Sequence, residues 1–224
     1  MQPDYEYNGK CHIRFFNCDN MDFMKEISDN YYDLAIVDPP YGIGMDGGNV
    51  GSKGLNNFEK KNWDSAIPSN EYFEQLFRVS KNQIIWGGNY FPLPQSRCFI
   101  VWDKLISEDF SLAMAEIAWT SFDALAKIVR IPTPKTEDKI HECQKPIKLY
   151  EWILKNYAKA GDKILDTHVG SASSLIACHR MGFEYWGFEL DPDYYKAACA
   201  RIEKEKSQPT IFEVAERAEQ GSLL

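Results

Sequence analysis

Asp33-Leu34-Ala35-Ile36-Val37-Asp38-Pro39-Pro40-Tyr41 is the stretch on which the fold turns. Four apolar residues lie between two aspartates, without the apolar-polar alternation of a half-exposed strand. So short a run fits a strand buried on both faces, as in a parallel sheet covered by helices on each side. The run stops at Asp38, because Pro39 and Pro40 fix φ and remove two ladder donors while keeping their carbonyls as acceptors. In open α/β sheets ligands bind beyond the carboxyl ends of the strands, which is where Asp38 falls.

Working outward, the pattern predicts a strand over residues 12–18 and a short helix over 21–27. After Tyr41 comes an irregular Gly- and Asn-rich stretch to about Ala66, a length that inside a compact domain points to function. Ser69 is placed to cap a helix through Val79. Strands are expected over 83–86, 98–102, 116–120 and 124–130. Pro146 suits the first position of a helix running to Tyr157. A strand over 163–166, a helix over 173–181 ending at Gly182, a strand over 185–189 and a helix over 192–206 complete the pattern. Strands alternating with helices predict a doubly wound, mostly parallel α/β sheet. One domain is expected over 1–206, with a tail over 207–224.

Of the 224 residues, 44% are hydrophobic and 26% charged, the balance of an ordinary soluble domain. No apolar run approaches the roughly 20 residues that span a bilayer. The opening Met1-Gln2-Pro3-Asp4-Tyr5-Glu6 lacks the basic-then-apolar pattern of a signal peptide, so a cytoplasmic protein is expected. The six cysteines are scattered without a C-x-x-C pair, and no metal site is expected. The formal net charge of -8 weighs against a nucleic-acid partner. Local clusters weigh the other way: Lys53, Lys60 and Lys61, then Lys127, Arg130, Lys135, Lys139, Lys145 and Lys148. Phosphate contacts and ordinary solvated loop charges both remain open for them.

Two sites carry chemistry. At the first, an acid, two rigid carbonyls and an aromatic suit methylation of an aromatic amine. Such an amine is a poor nucleophile, because its lone pair is delocalised into the ring. The Asp38 carboxylate and the Pro39 carbonyl can accept its two hydrogens and direct the lone pair at a methyl donor. Tyr41 offers a ring face to a base that has left the duplex stack. At the second, the strand ending in Asp166 turns through Thr167-His168-Val169-Gly170-Ser171 into a helix. Gly170 permits close approach of a ligand. Glu189, about 20 residues on, ends a further strand where an acid can accept from ribose hydroxyls. A small-residue turn is also an ordinary packing device, so this second site is weak by itself.

Together these motifs resemble the DNA amino-methyltransferases of the class in which D-P-P-Y precedes the cofactor loop. His141-Glu142-Cys143-Gln144-Lys145-Pro146 is similar to the family's H-P-x-Q-K-P element. The stretch from Gly187 to Tyr194 matches its G-x-E-x-x-x-x-Y, and Trp86-Gly87-Gly88-Asn89-Tyr90-Phe91 looks like a segment of restriction-associated members. The resemblance implies the S-adenosylmethionine-dependent methyltransferase fold and transfer to adenine N6. It places Asp38, Pro39, Pro40 and Tyr41 at the target base. Glu189 would hold the cofactor ribose, Asp19 its adenine, and Asp166 and Gly170 would lie near its methionine moiety, with His168 and Ser171 also among the cofactor-binding residues. Gln144 and Lys145 would approach the methionine carboxylate. Duplex DNA with a flipped base is the implied partner, with a second copy of the chain as another candidate. Residues 104–140 would read the target, and so short an interval implies about two to four base pairs, since each base contact discriminates by only about 1–3 kcal/mol.

Two departures stand out: His168 replaces the family's Phe, and Ala172 replaces a Gly. They motivate a catalytically impaired regulatory subunit as the alternative. The acidic balance keeps RNA open as a substrate, and D-P-P-Y favours adenine over the cytosine N4 associated with S-P-P-Y.

Overall fold

In a computed structural model, the protein is described over residues 2–9, 11–46, 60–109, 113–134, 139–141 and 143–207. Five segments read in the sequence lie wholly or partly outside these residues: most of the 42–62 loop, Lys53, Lys135, Glu142 and the tail beyond Ser207.

The strands are β1 (Tyr5–Asn8), β2 (His12–Phe16), β3 (Tyr32–Val37), β4 (Ser80–Trp86), β5 (Phe99–Asp103), β6 (Ala115–Thr120), β7 (Lys127–Arg130), β8 (Lys163–Asp166) and β9 (Glu184–Phe188). The helices are α1 (Asn20–Met24), α2 (Asn70–Val79), α3 (Ile147–Tyr157), α4 (Ser173–Met181) and α5 (Pro192–Lys206). Among the described residues, these nine strands join one sheet in the order β1-β2-β9-β8-β3-β4-β6-β5-β7. From β2 to β4 every pairing is parallel. Antiparallel pairings occur at β1 and at both edges of β6. The doubly wound, mostly parallel α/β expectation therefore holds.

The apolar runs are continuous because alternate residues serve opposite faces. Leu34 and Ile36 of β3 pack with Ile84 and Trp86 of β4 under α3, α4 and α5. Ala35, Val37 and Ile85 face the other way, into a cluster with Phe23 and Met24 of α1 and Tyr72, Phe73 and Leu76 of α2. Burying a side chain of this size contributes about 1.5–3 kcal/mol, so both faces drive the sheet to form.

Ends are set by local chemistry. Ser69 caps α2 by accepting from the Tyr72 N–H. Pro146 precedes α3 as its cap, one position earlier than expected. Gly182 closes α4 at φ 77°. Helix α1 ends at Met24, short of Ile27, because the Arg78 guanidinium takes the Met24 and Ile27 carbonyls. Strand β7 begins at Lys127, not at Ala124. The sequence pattern missed β1, whose Tyr-Glu-Tyr-Asn carries no apolar run.

Candidate active site

The chain leaves β3 toward β4 on one side, and later β8 leads to β9 on the other. The neighbours β3 and β8 therefore form the switch point at which a crevice opens. Asp38 follows β3, Asp166 ends β8, Glu189 follows β9 and Asp19 caps α1 just beyond β2. All four acids except Asp166 line one cavity of about 1040 Å³, together with Pro39, Pro40, Tyr41, Gln144, Lys145, His168, Gly170 and Ser171. The structure thus brings the two sequence-defined sites into one crevice, although more than half the chain separates them in sequence.

Asp38 is held by charge. Its Oδ1 accepts from the Tyr41 hydroxyl at 2.6 Å, and its Oδ2 accepts from Lys145 Nζ. Burial pushes its carboxyl up, the neighbouring ammonium pulls against this, and Glu116 raises it further. The resemblance sends Lys145 to a cofactor carboxylate. In the structure its ammonium instead bridges Asp38 and Glu116, 3.0 Å from Glu116 Oε2. Gln144, also buried, turns its Oε1 to the Ile140 N–H. Tyr41 does not present a bare face: its ring stacks on Tyr90 with centroids 5.1 Å apart, and a Cβ on Gly87 would lie 2.3 Å from it. Gly87, at φ 68°, is thus required by both backbone and space. Tyr90 is 43% exposed and carries the open surface of the pair.

Asp166 is held by neutral donors. Oδ1 accepts from the His168 N–H at 3.0 Å, and Oδ2 from the Ser174 hydroxyl and, at 3.4 Å, from Tyr185. It is 2% exposed, and burial pushes its carboxyl up to about 7 against those hydrogen bonds. Asp166 therefore ties the loop's start to the first turn of α4. Glu189 accepts from the Gly170 N–H at 2.8 Å and the Asp191 N–H at 2.9 Å, which leaves acceptor capacity on both oxygens. Gly170 has φ 51°, as the close-approach expectation requires. His168 bonds Thr167 Oγ1 through Nδ1, lies edge-on to Tyr72, and is kept neutral by burial, its pKa lowered to about 4. Ala172 adopts φ 63° with its side chain fully buried, so alanine performs the turn ordinarily given to glycine.

Sequence reasoning missed several lining residues. Asn20 Oδ1 and Trp63 Nε1 are buried without a hydrogen-bond partner, and both residues line the cavity. An orphan acceptor and an orphan donor fit a ligand that carries both kinds of group, as a nucleoside or an amino acid does. His141 lies between Trp63 and Tyr194, with centroids 5.2 and 4.4 Å away. Asn20 and Trp63 fall in no motif, whereas His141 and Tyr194 belong to the H-x-x-Q-K-P and G-x-E-x-x-x-x-Y stretches already read in the sequence.

Lys127 bonds the neutral Asn156 amide oxygen beside two aromatic rings, which leaves both readings of it open. The phosphate reading of the basic clusters needs correction at two positions: Lys145 is 3% exposed and ion-paired, and Lys61 binds Asp191 and Asp193. A buried or paired ammonium is committed within the protein and is not available to a backbone phosphate. Lys60, Arg130 and Lys148 are exposed. Among the described residues no cluster of His, Cys, Asp or Glu is arranged to hold a metal, and no helix is long and apolar enough to cross a membrane.

A parallel sheet with acids at its switch point, opening into a nucleoside-sized crevice, defines the S-adenosylmethionine-dependent methyltransferase fold. Solved structures share it. The M1.HpyAVI–SAM complex superposes with a TM-score of 0.57 at 18% identity, covering 84% of this chain and 99% of the other. PvuII DNA methyltransferase (cytosine-N4-specific) gives 0.60 at 12% identity, covering 92% and 93%. The DNA methylase family model matches residues 85–200, just over half of the chain, and the protein belongs to that family. Among curated relatives, the Type II methyltransferase M2.DpnII of Streptococcus pneumoniae is 29% identical over 74% of this chain and 57% of its own length. M2.LlaDCHI of Lactococcus lactis subsp. cremoris is 27% identical over 73% and 56%. The chain thus spans little more than half the length of these two relatives.

Proposed function

We propose that the protein transfers the methyl group of S-adenosylmethionine to the N6 amine of adenine in DNA. The observation that carries this reading is the placement of Asp38 and Tyr41 in the same crevice as Gly170 and Glu189. An amine acceptor and a nucleoside site can then serve one reaction. The cofactor supplies an electrophilic methyl on a sulfonium. Glu189 would accept from its ribose, the Gly170 turn would let its chain pass close to the backbone, and Asn20 and Trp63 offer further polar contacts. Asp38 and the Pro39 carbonyl would accept the two amine hydrogens, and the Tyr41–Tyr90 stack would support the base plane. With the cofactor bound, the amine nitrogen held by Asp38 and the Pro39 carbonyl would take the methyl carbon, the carbon–sulfur pair would stay with the departing sulfur, and the nitrogen would then lose one proton to water. Most of the acceleration comes from placement and fixed dipoles.

The same reading puts the reaction in the cytosol, on a base turned out of duplex DNA and without a metal. Residues 104–140 contribute to target reading, although β6 and β7 already occupy part of that interval. A second copy of the chain is retained as a candidate partner. The intact Asp38–Tyr41 geometry weighs against an impaired regulatory subunit.

The test is transfer of a labelled methyl to duplex DNA, single-stranded DNA and RNA, with the modified nucleoside identified by mass spectrometry. N6-methyladenine from duplex DNA is expected. Label found in N4-methylcytosine or in RNA alone would overturn the substrate, and cofactor binding without transfer to any of them would point to the impaired subunit.

A further inference from the structure

Four charged side chains form one alternating line in the wall of the crevice: Asp38, Lys145, Glu116 and Lys104. Lys145 Nζ contacts Asp38 Oδ2 and lies 3.0 Å from Glu116 Oε2, while Lys104 Nζ lies 2.6 Å from Glu116 Oε1. The Tyr41 hydroxyl, which donates to Asp38, is 3.4 Å from Glu116 Oε2. The side chains are 19, 3, 22 and 13% exposed in that order, so the pairs exchange little with solvent. Burial opposes ionisation of Glu116, but the two ammoniums overcome it and hold its carboxyl down to about 2. Lys145 also sits 5.2 Å from the Trp86 ring centroid, which confines the ammonium to one side.

This arrangement poses a problem for the proposed chemistry. As the amine nitrogen takes the methyl it gains positive charge, and Asp38 is the anion nearest that charge. In the structure Asp38 is already neutralised by Lys145. A buried ammonium cannot withdraw without another anion to receive it, because an unpaired buried charge is costly. Glu116 is that anion, and Lys104 balances Glu116 from its far side.

We propose that Glu116 is a positioning residue for methyl transfer, receiving the Lys145 ammonium so that Asp38 can turn its charge to the reacting amine. The inference rests on the amine-methylation reading. It explains why an acid on the antiparallel strand β6, outside both sequence motifs, reaches into the crevice.

The test is a double-mutant cycle of Glu116→Gln and Lys145→Met. Single-turnover transfer is measured at saturating cofactor and DNA, beside cofactor affinity by calorimetry and the melting temperature. Glu116→Gln should lower the maximal rate by about tenfold or more, the scale of one charge-assisted hydrogen bond, with cofactor affinity unchanged. Glu116→Asp, which keeps the charge, should restore part of the rate. In the Lys145→Met background Glu116→Gln should add little, since its effect passes through Lys145. An unchanged rate in Glu116→Gln, or strictly additive losses, overturns the proposal. If Glu116→Gln does not fold, the cycle is run with Glu116→Asp, where strict additivity again overturns it. Wild-type transfer is the control: its absence defeats the underlying reading and the inference with it, whereas its presence beside an unaffected Glu116→Gln defeats the inference alone.

Discussion

Asp38 and Asp166 end neighbouring parallel strands, yet they are held in opposite ways. Asp38 meets an ammonium and a phenol at the cavity wall. Asp166 is sealed beneath the wall by a backbone N–H and two hydroxyls. Charged partners can be exchanged when a substrate arrives, whereas neutral buried donors fix geometry at the cost of ionisation. Under the proposed function, the first acid serves the reaction and the second builds the loop.

The largest expected effect is at Asp38. Asp38→Ala should reduce transfer by more than about a hundredfold, or about 2.7 kcal/mol of barrier. Lys145 keeps Glu116 as a partner, so cofactor affinity and folding should largely survive. A variant that retains most of its rate would remove Asp38 from the amine and collapse the distinction.

Asp166 should respond to pH instead. Its folded pKa of about 7 lies above the ordinary 3.8, so the native state binds the extra proton between these values. Its contribution to stability is therefore full below about pH 4 and is lost as pH rises through 7. Against Asp166→Asn, the wild type should lose about 2–4 kcal/mol across that window. Denaturant midpoints of both proteins from pH 4 to 8 measure the difference, and a flat difference would show Asp166 ionised throughout.

Glu189→Ala should weaken cofactor binding by about 1.5–3 kcal/mol, the scale of hydrogen bonds to a charged acceptor. It should also loosen the Gly170 turn, whose N–H it binds. Calorimetry showing unchanged affinity would take Glu189 out of the site.

The smallest effect is expected at Ala172. Glycine there would relieve about 1–2 kcal/mol of left-handed strain. It would also forfeit about 0.8 kcal/mol of methyl burial and part of a kcal/mol of chain entropy. Ala172→Gly should therefore shift stability by under about 1 kcal/mol and leave cofactor affinity within about tenfold. A larger gain in affinity would favour the impaired-subunit alternative, for which Ala172 is a motive.

Much of this protein was legible in its residues alone. Continuous apolar runs that end in acids specify buried parallel strands, because one strand must satisfy helices on both faces. The order of D-P-P-Y, H-x-x-Q-K-P and the Gly170 turn identifies the family, since each motif is local and its chemistry depends on neighbours in sequence. Strand β1 escaped because an edge strand with one solvated face carries no such run.

Tertiary structure alone decided the electrostatics. Whether Lys61 and Lys145 meet phosphate or a carboxylate depends on partners over a hundred residues away, and no spacing rule reaches that far. The same holds for Glu116, which looks in sequence like one exposed position of an alternating strand. Charge interaction falls with distance and strengthens with burial, and both quantities exist only once the sheet has closed beside the crevice.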